Sequence, residues 1–266
     1  MFEIKPSYNI TDLTDIMRLL RSEDGCPWDR EQSHTSIRMN VIEEAYEVAE
    51  AIDSGDRVIL CEELGDLLLQ IVFHAQMASE AGSFNFDDVC DVICKKLIYR
   101  HPHVFGSLEV SDTGEVLRNW DALKSKSKGE ERSSDSLDNV PKLLPALMRG
   151  EKVGKRAAGS GFDFTDTAEV MERLRDELSE LEIAVINKDD DEIEEEFGDI
   201  LFTCCNLGRF LKKDSEKALT RAINKFIMRF RAVEMLAEER GQSLSAFSQS
   251  ELDKMWEEAK NIHAET

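Results

Sequence analysis

The chain is poor in proline, with five in 266 residues, and poor in aromatic side chains, at 7%. Few prolines leave long helices uninterrupted. Scarce aromatics, with no useful run of alternating apolar and polar residues, exclude a β-sandwich or barrel. Basic residues are also short: 33 against 55 acids, a formal charge of −22. That disfavours bare nucleic acid and anionic membrane as partners. It does not exclude a phosphorylated substrate, because a bound metal ion reverses the local sign. No uninterrupted apolar run is long enough to cross a bilayer. Met1-Phe2-Glu3-Ile4-Lys5-Pro6 lacks the basic region and apolar core of a secretory leader, so a cytoplasmic location is expected. The six cysteines form no C-x-x-C, and most fall in apolar helical patterns, so reduced core thiols are expected. No G-x-x-x-x-G-K-[ST] occurs, which argues against a Walker-type ATPase.

What the chain has in abundance is helix former and carboxylate. Glu43-Glu44-Ala45-Tyr46-Glu47 is followed by Glu63-Leu64-Gly65-Asp66, with Asp53-Ser54-Gly55-Asp56 between them as a turn. Glu44 and Glu47 share one helix face, as do Glu63 and Asp66. Helices over Ile37–Ile52 and Val58–Ala78 joined by that turn run antiparallel and gather four carboxylates. The second is apolar nearly all round, with Glu63, Asp66, Gln70 and His74 as its polar stripe, so it is expected to be mostly buried. Carboxylates crowded in a protected groove take up protons or hold cations. Oxygen-only ligands suit Mg²⁺, with Mn²⁺ as a substitute.

The arrangement recurs. Asp176-Glu177-Leu178-Ser179-Glu180 precedes Glu196-Phe197-Gly198-Asp199; Asp66 follows Glu44 by 22 positions, and Asp199 follows Glu177 by 22. One E-x-x-E in so acidic a chain is ordinarily a solvated face; recurrence at equal spacing argues otherwise. Gly65 and Gly198 sit alike inside the acidic step, where glycine costs about 1 kcal/mol relative to alanine, so close backbone approach is expected there. Each copy then carries a basic pair at i and i+4, Lys96 with Arg100 and Lys225 with Arg229, and a late tryptophan, Trp120 or Trp256. Alone, such pairs are usually solvated faces and such tryptophans core anchors. Together with metal, a phosphate clamp and an aromatic plate make a nucleotide polyphosphate site.

A first helix is expected from Thr11 or Asp12, a fourth from Asp87 or Asp88 to Arg100, and a further one over Glu115–Lys126. The repeat predicts an all-α fold of two tandem helical-bundle domains, 1–124 and 141–266, joined by a polar linker over 125–140. His101 and His103 read chiefly as turn residues at the bundle end.

Several of these stretches together carry a family resemblance. E-E-x-x-E followed by E-x-x-D, Gly25-Cys26-Pro27-Trp28-Asp29, Arg100-His101-Pro102-His103-Val104-Phe105 and Pro145-Ala146-Leu147 resemble the MazG family of nucleoside triphosphate pyrophosphohydrolases, in its tandem-domain bacterial form. The resemblance covers nearly the whole chain. It implies a four-helix bundle related to the dimeric all-α dUTPases and a homodimer. It also implies Mg²⁺-dependent hydrolysis of nucleoside triphosphates to monophosphate and pyrophosphate, clearing unwanted nucleotides. Carried over, the metal ligands are Glu44, Glu47, Glu63 and Asp66, and in the second copy Glu177, Glu180, Glu196 and Asp199. Catalysis is assigned to Glu44 and Glu177 through the metal, and to Glu43 as candidate general base. Asp176 replaces the leading glutamate in the second copy, one methylene shorter. Substrate contacts are expected from Lys96, Arg100, Trp120, Arg173, Lys225, Arg229 and Trp256. Arg173, Arg175, Lys225, Arg229 and Arg231 give the second copy the richer cation supply and favour it as the efficient site.

Rival readings are a di-iron bundle and an acidic helical binding or regulatory protein with one or both domains non-catalytic. The di-iron site needs two Glu-x-x-His steps; only Glu31-Gln32-Ser33-His34 is present, outside both acidic pairs.

Overall fold

The computed structural model describes residues 4–129 and 132–262 and contains no strand among them. Glu130 and Glu131 of the expected linker, and Met1, Phe2 and Glu3 of the N-terminal reading, lie outside the described residues. The chain divides into two compact units, 1–124 and 125–266.

In the first unit, α1 (Ile10–Leu20) and α2 (Pro27–Glu31) precede the long pair α3 (Arg38–Ser54) and α4 (Arg57–Glu80); α5 (Phe86–Arg100), the short α6 (Pro102–Phe105) and α7 (Thr113–Ser127) follow. The cap of α1 is Asn9, two residues before the expected Thr11. Its side chain accepts from the Thr11 and Asp12 amides while Asp12 accepts from the Asn9 amide. Gly55, at φ +74°, closes α3, and Asp56 immediately caps α4 by accepting from Val58 and Ile59. That short reversal lays α4 along α3. Gly25 has a steric reason: a β-carbon there would meet the Leu19 and Leu20 carbonyl oxygens at 2.3 Å, where the Cys26 amide folds back onto Leu20. The core is Met17, Ile37, Val72, Phe73 and Met77, all from α1, the entry to α3 and the C-terminal half of α4.

The second unit holds α8 (Ser133–Asp138), α9 (Ala146–Gly159), α10 (Thr167–Asn187), α11 (Asp190–Phe210), α12 (Ser215–Glu239), a 3₁₀ turn at Leu244–Ala246 and α13 (Gln249–Ile262). The 125–140 stretch is therefore not a bare linker. It contains α8, whose Ser136 carbonyl accepts from Arg156 on α9, and Val140 is buried. Asp166 caps α10, Lys188 closes it in the left-handed region, and Asp189 caps α11. α10 and α9 both pack on α11. Ala232, Val233 and Ala237 of α12 meet Met255 and Ala259 of α13.

Three sequence expectations are corrected. α4 is not buried along its length: its N-terminal half leaves Val58 76% and Leu64 50% exposed. Gly65 and Gly198 mark no close approach, since a β-carbon at either meets nothing within 4 Å. All six thiols are free, but only Cys205 is a core thiol; Cys61, Cys94 and Cys204 are exposed.

Candidate active sites

Glu44 is offered by α3 and Glu63 and Asp66 by the facing side of α4. The i,i+3 spacing on α4 stacks its two carboxylates one turn apart, and the tight reversal at Gly55 brings Glu44 opposite them. One carboxylate oxygen from each of the three lies within 4.8 Å of the others. The second unit repeats this with Glu177 on α10 and Glu196 and Asp199 on α11, again within 4.8 Å. Glu47 and Glu180 stand at the rim of these trios rather than in them. Glu47 still acts electrostatically on Glu44 and Glu63, and Glu180 on Glu177 and Glu196.

Crowding is visible in the protonation behaviour. Burial first, then the charges of Glu47 and Asp66, push the Glu44 carboxyl above the usual range. Glu63 is raised by burial, Glu47 and Asp66. Glu177 is raised by burial, with Arg173 pulling the other way and Asp199 and Glu180 adding to the rise. Glu196 is raised by burial, Glu180 and Asp199. Charges held together like this require a cation or a proton.

The donor set fits a hard divalent ion. Each trio consists of carboxylate oxygens alone. Glu177 is 3% exposed, yet its Oε2 has no hydrogen-bond partner, and neither has the buried Oε2 of Glu196. Buried carboxylate oxygens in that condition are costly unless an ion takes their lone pairs.

The other candidate residues are placed as follows. Glu43 and Asp176 are exposed, beside the trios in sequence but not among them. Arg173 donates from Nε to Glu177 Oε1 at 2.7 Å, and its Nη2 lies 3.7 Å from Glu180 Oε2. On α5 and α7, the Arg100 guanidinium lies 5.4 Å and the Lys124 ammonium 4.7 Å from the Trp120 ring centroid. Trp256 is different: it packs on the α12–α13 core with Phe226, ring centroids 5.1 Å apart. The two late tryptophans thus share a place in the repeat but not a setting. Lys225 and Arg229 lie on α12, whereas the second trio lies on α10 and α11; among the described residues no hydrogen bond or ion pair joins Lys96, Lys225 or Arg229 to the carboxylates.

Two features were not read from the sequence as site structure. Gln70 donates to Glu44 Oε1 at 3.3 Å; its place in the α4 polar stripe was the available signal. His34 and His74, forty positions apart, stack at 8° with their Nδ1 atoms 2.7 Å apart. His34, the histidine of the lone Glu-x-x-His, thus pairs with His74 of α4 and belongs to neither trio. His101 Nδ1 bonds the Leu97 carbonyl at 2.7 Å and so finishes α5.

Comparison with known proteins agrees with this duplicated architecture. The model of the MazG nucleotide pyrophosphohydrolase domain matches twice, over residues 32–105 and 165–234. The first match contains Glu44, Glu63 and Asp66, and the second contains Glu177, Glu196 and Asp199. The chain is 45% identical over 249 residues to a Thermotoga maritima protein named nucleoside triphosphate pyrophosphohydrolase/pyrophosphatase MazG, covering 94% of each. It is 41% identical over 250 residues to the Escherichia coli nucleoside triphosphate pyrophosphohydrolase, covering 93% of this chain and 95% of that one. An uncharacterized Bacillus subtilis protein, YabN, is 42% identical over 254 residues, which is 95% of this chain but 52% of that protein. With its domain present twice and more than nine-tenths of its length aligned to such relatives, the chain belongs to the MazG nucleotide pyrophosphohydrolase family.

Proposed function

We propose that the protein hydrolyses nucleoside triphosphates, ribo or deoxyribo, to the monophosphate and pyrophosphate with Mg²⁺, as a house-cleaning enzyme of the cytoplasmic nucleotide pool. The observation that carries this reading is the pair of carboxylate trios, each within 4.8 Å and each with a glutamate oxygen left without a partner or a raised carboxyl. The family and the names of the relatives support the reaction.

Glu44, Glu63 and Asp66, with Glu47 at the rim, would hold the ion in the first unit; Glu177, Glu196 and Asp199, with Glu180, would hold it in the second. Held there, Mg²⁺ or Mn²⁺ would supply charge neutralisation at the phosphate and an acidified water. The side chains do the rest. Lys96 with Arg100, and Lys225 with Arg229, each present two cations one helical turn apart for phosphate oxygens. Trp120 and Trp256 offer ring faces to a base. Glu43, exposed beside Glu44, is the acceptor for the proton of the attacking water. The reading includes a homodimer, supported by apolar side chains left open on the acidic helices: Val58 and Leu64 in the first unit, Ile183 and Ile186, 58% and 78% exposed, in the second.

Product analysis tests the reading, with common NTPs and dNTPs and Mg²⁺, for the wild type, Glu63→Ala/Asp66→Ala and Glu196→Ala/Asp199→Ala. Monophosphate plus pyrophosphate, lost in one or both double variants, is expected. Folded protein that turns over no nucleotide with Mg²⁺ or Mn²⁺ would refute it and favour the non-catalytic binding protein.

A further inference from the structure

The two trios differ in what neutralises them. Arg173 stands four residues before Glu177, one turn away on α10, and its counterpart four residues before Glu44 is Asn40. Arg173 Nε donates to Glu177 Oε1 at 2.7 Å and Nη2 reaches toward Glu180 Oε2 at 3.7 Å. The Glu177 side chain is 4% exposed and the Arg173 side chain 44%. A half-solvated guanidinium therefore serves a buried carboxylate whose other oxygen, Oε2, has no partner, in a residue grouped with Glu196 and Asp199. In the first trio the side-chain partner of Glu44 is the neutral Gln70 amide at 3.3 Å. The position matching Gln70 in the second copy holds Thr203, so that amide is absent there.

A guanidinium and a divalent ion cannot both take the same glutamate at full strength. They repel one another, and a glutamate already neutralised through Oε1 attracts an ion at Oε2 less strongly. Arginine is also the side chain best shaped to grip phosphate oxygens in a two-point contact. Its exposure lets it swing off Glu177 without unpacking the helix.

We propose that Arg173 is the resident counter-cation of the second carboxylate trio, displaced when a divalent ion binds and then free to hold a triphosphate oxygen. Metal and nucleotide thus load the second trio together, whereas at the first trio the ion meets Glu44 paired with the neutral Gln70 and displaces no arginine from it. The inference rests on the metal-binding reading above and adds a division of behaviour between the two copies. It also gives Arg173 two successive partners.

The test is Mn²⁺ binding to the full-length chain, followed by the paramagnetic resonance of free Mn²⁺. It is run on Glu63→Ala/Asp66→Ala, which leaves the second trio, and on Glu196→Ala/Asp199→Ala, which leaves the first. Without nucleotide, Arg173→Gln on the first background is expected to tighten Mn²⁺ about tenfold, the scale of losing one competing charge-assisted pair. Asn40→Arg on the second background is expected to weaken it about tenfold by installing the competitor. A non-hydrolysable α,β-methylene triphosphate should tighten Mn²⁺ at the second trio when Arg173 is present and lose most of that effect in Arg173→Gln. Unchanged or weaker Mn²⁺ binding in Arg173→Gln, with no response to Asn40→Arg, overturns the proposal while leaving the metal sites standing. Mn²⁺ binding that neither double carboxylate variant reduces overturns the metal sites themselves, and the proposal with them.

Discussion

If the first trio is a set of crowded charges in which Glu44 accepts from the neutral Gln70 amide, removing one charge in the absence of metal must stabilise the first unit. Glu44→Gln does this with little change of shape, and the oxygen of the new amide still accepts from Gln70. The carboxylate oxygens lie within 4.8 Å of one another. Two unit charges at that distance repel by about 3–4 kcal/mol at an effective dielectric near 20. Solvent at this half-buried site reduces the gain to about 1–2 kcal/mol. The sign with pH follows from the raised Glu44 carboxyl. Burial first, then Glu47 and Asp66, hold its folded value above the ordinary 4.5, so the combined penalty is complete above the folded value and absent once pH falls below 4.5. The gain from Glu44→Gln should therefore be present at pH 7.5 in EDTA, vanish near pH 4, and reverse on adding Mg²⁺. Glu177→Gln should give no comparable gain, because it also removes the partner of Arg173. Hydrogen exchange of peptides from α3–α4 and from α10–α11 reads each unit separately. Faster exchange of α3–α4 in Glu44→Gln at pH 7.5 would refute the repulsion argument, as would equal protection gained in Glu177→Gln.

Three further outcomes are expected. Met17→Ala empties a site that is 2% exposed among Ile37, Val72, Phe73 and Met77, and should cost about 2–5 kcal/mol in urea unfolding followed through α1 and α4. Burial, then the neighbouring His34, holds His74 below its ordinary 6.5, so the first unit should lose stability as pH falls below 6.5; His74→Phe should flatten that dependence in pH-resolved thermal melts. Arg209 grips Asp163 with two bonds, at 2.9 and 2.5 Å, tying the Gly161–Phe164 loop to α11, so Asp163→Asn should cost about 1–2 kcal/mol at pH 7. The Asp163 carboxyl is lowered chiefly by Arg209, so that difference should shrink as pH drops below 3.8 toward its folded value.

Much of this protein is local, and the sequence alone determined it. The acidic helices of the first copy were legible to within one or two residues, because Gly55 with Asp56 punctuates their hairpin over two positions. The i,i+3 spacing of Glu63 with Asp66, and of Glu196 with Asp199, placed each pair on one face, and the equal 22-residue offsets revealed the duplication. Other features depend on which surfaces meet, which no periodicity records. The apolar pattern of α4 reads the same whether a face is covered within the unit or left open, so the exposure of Val58 and Leu64 was invisible. Trp120 and Trp256 match in register, yet one meets Arg100 of α5 and Lys124 of its own helix and the other Phe226 of α12. The His34–His74 contact joins residues forty positions apart. Arg173 counted as one more cation for substrate until the fold put its Nε 2.7 Å from a buried glutamate. Spacing assigns a side chain to a helix face; only packing decides what stands opposite it and whether water does.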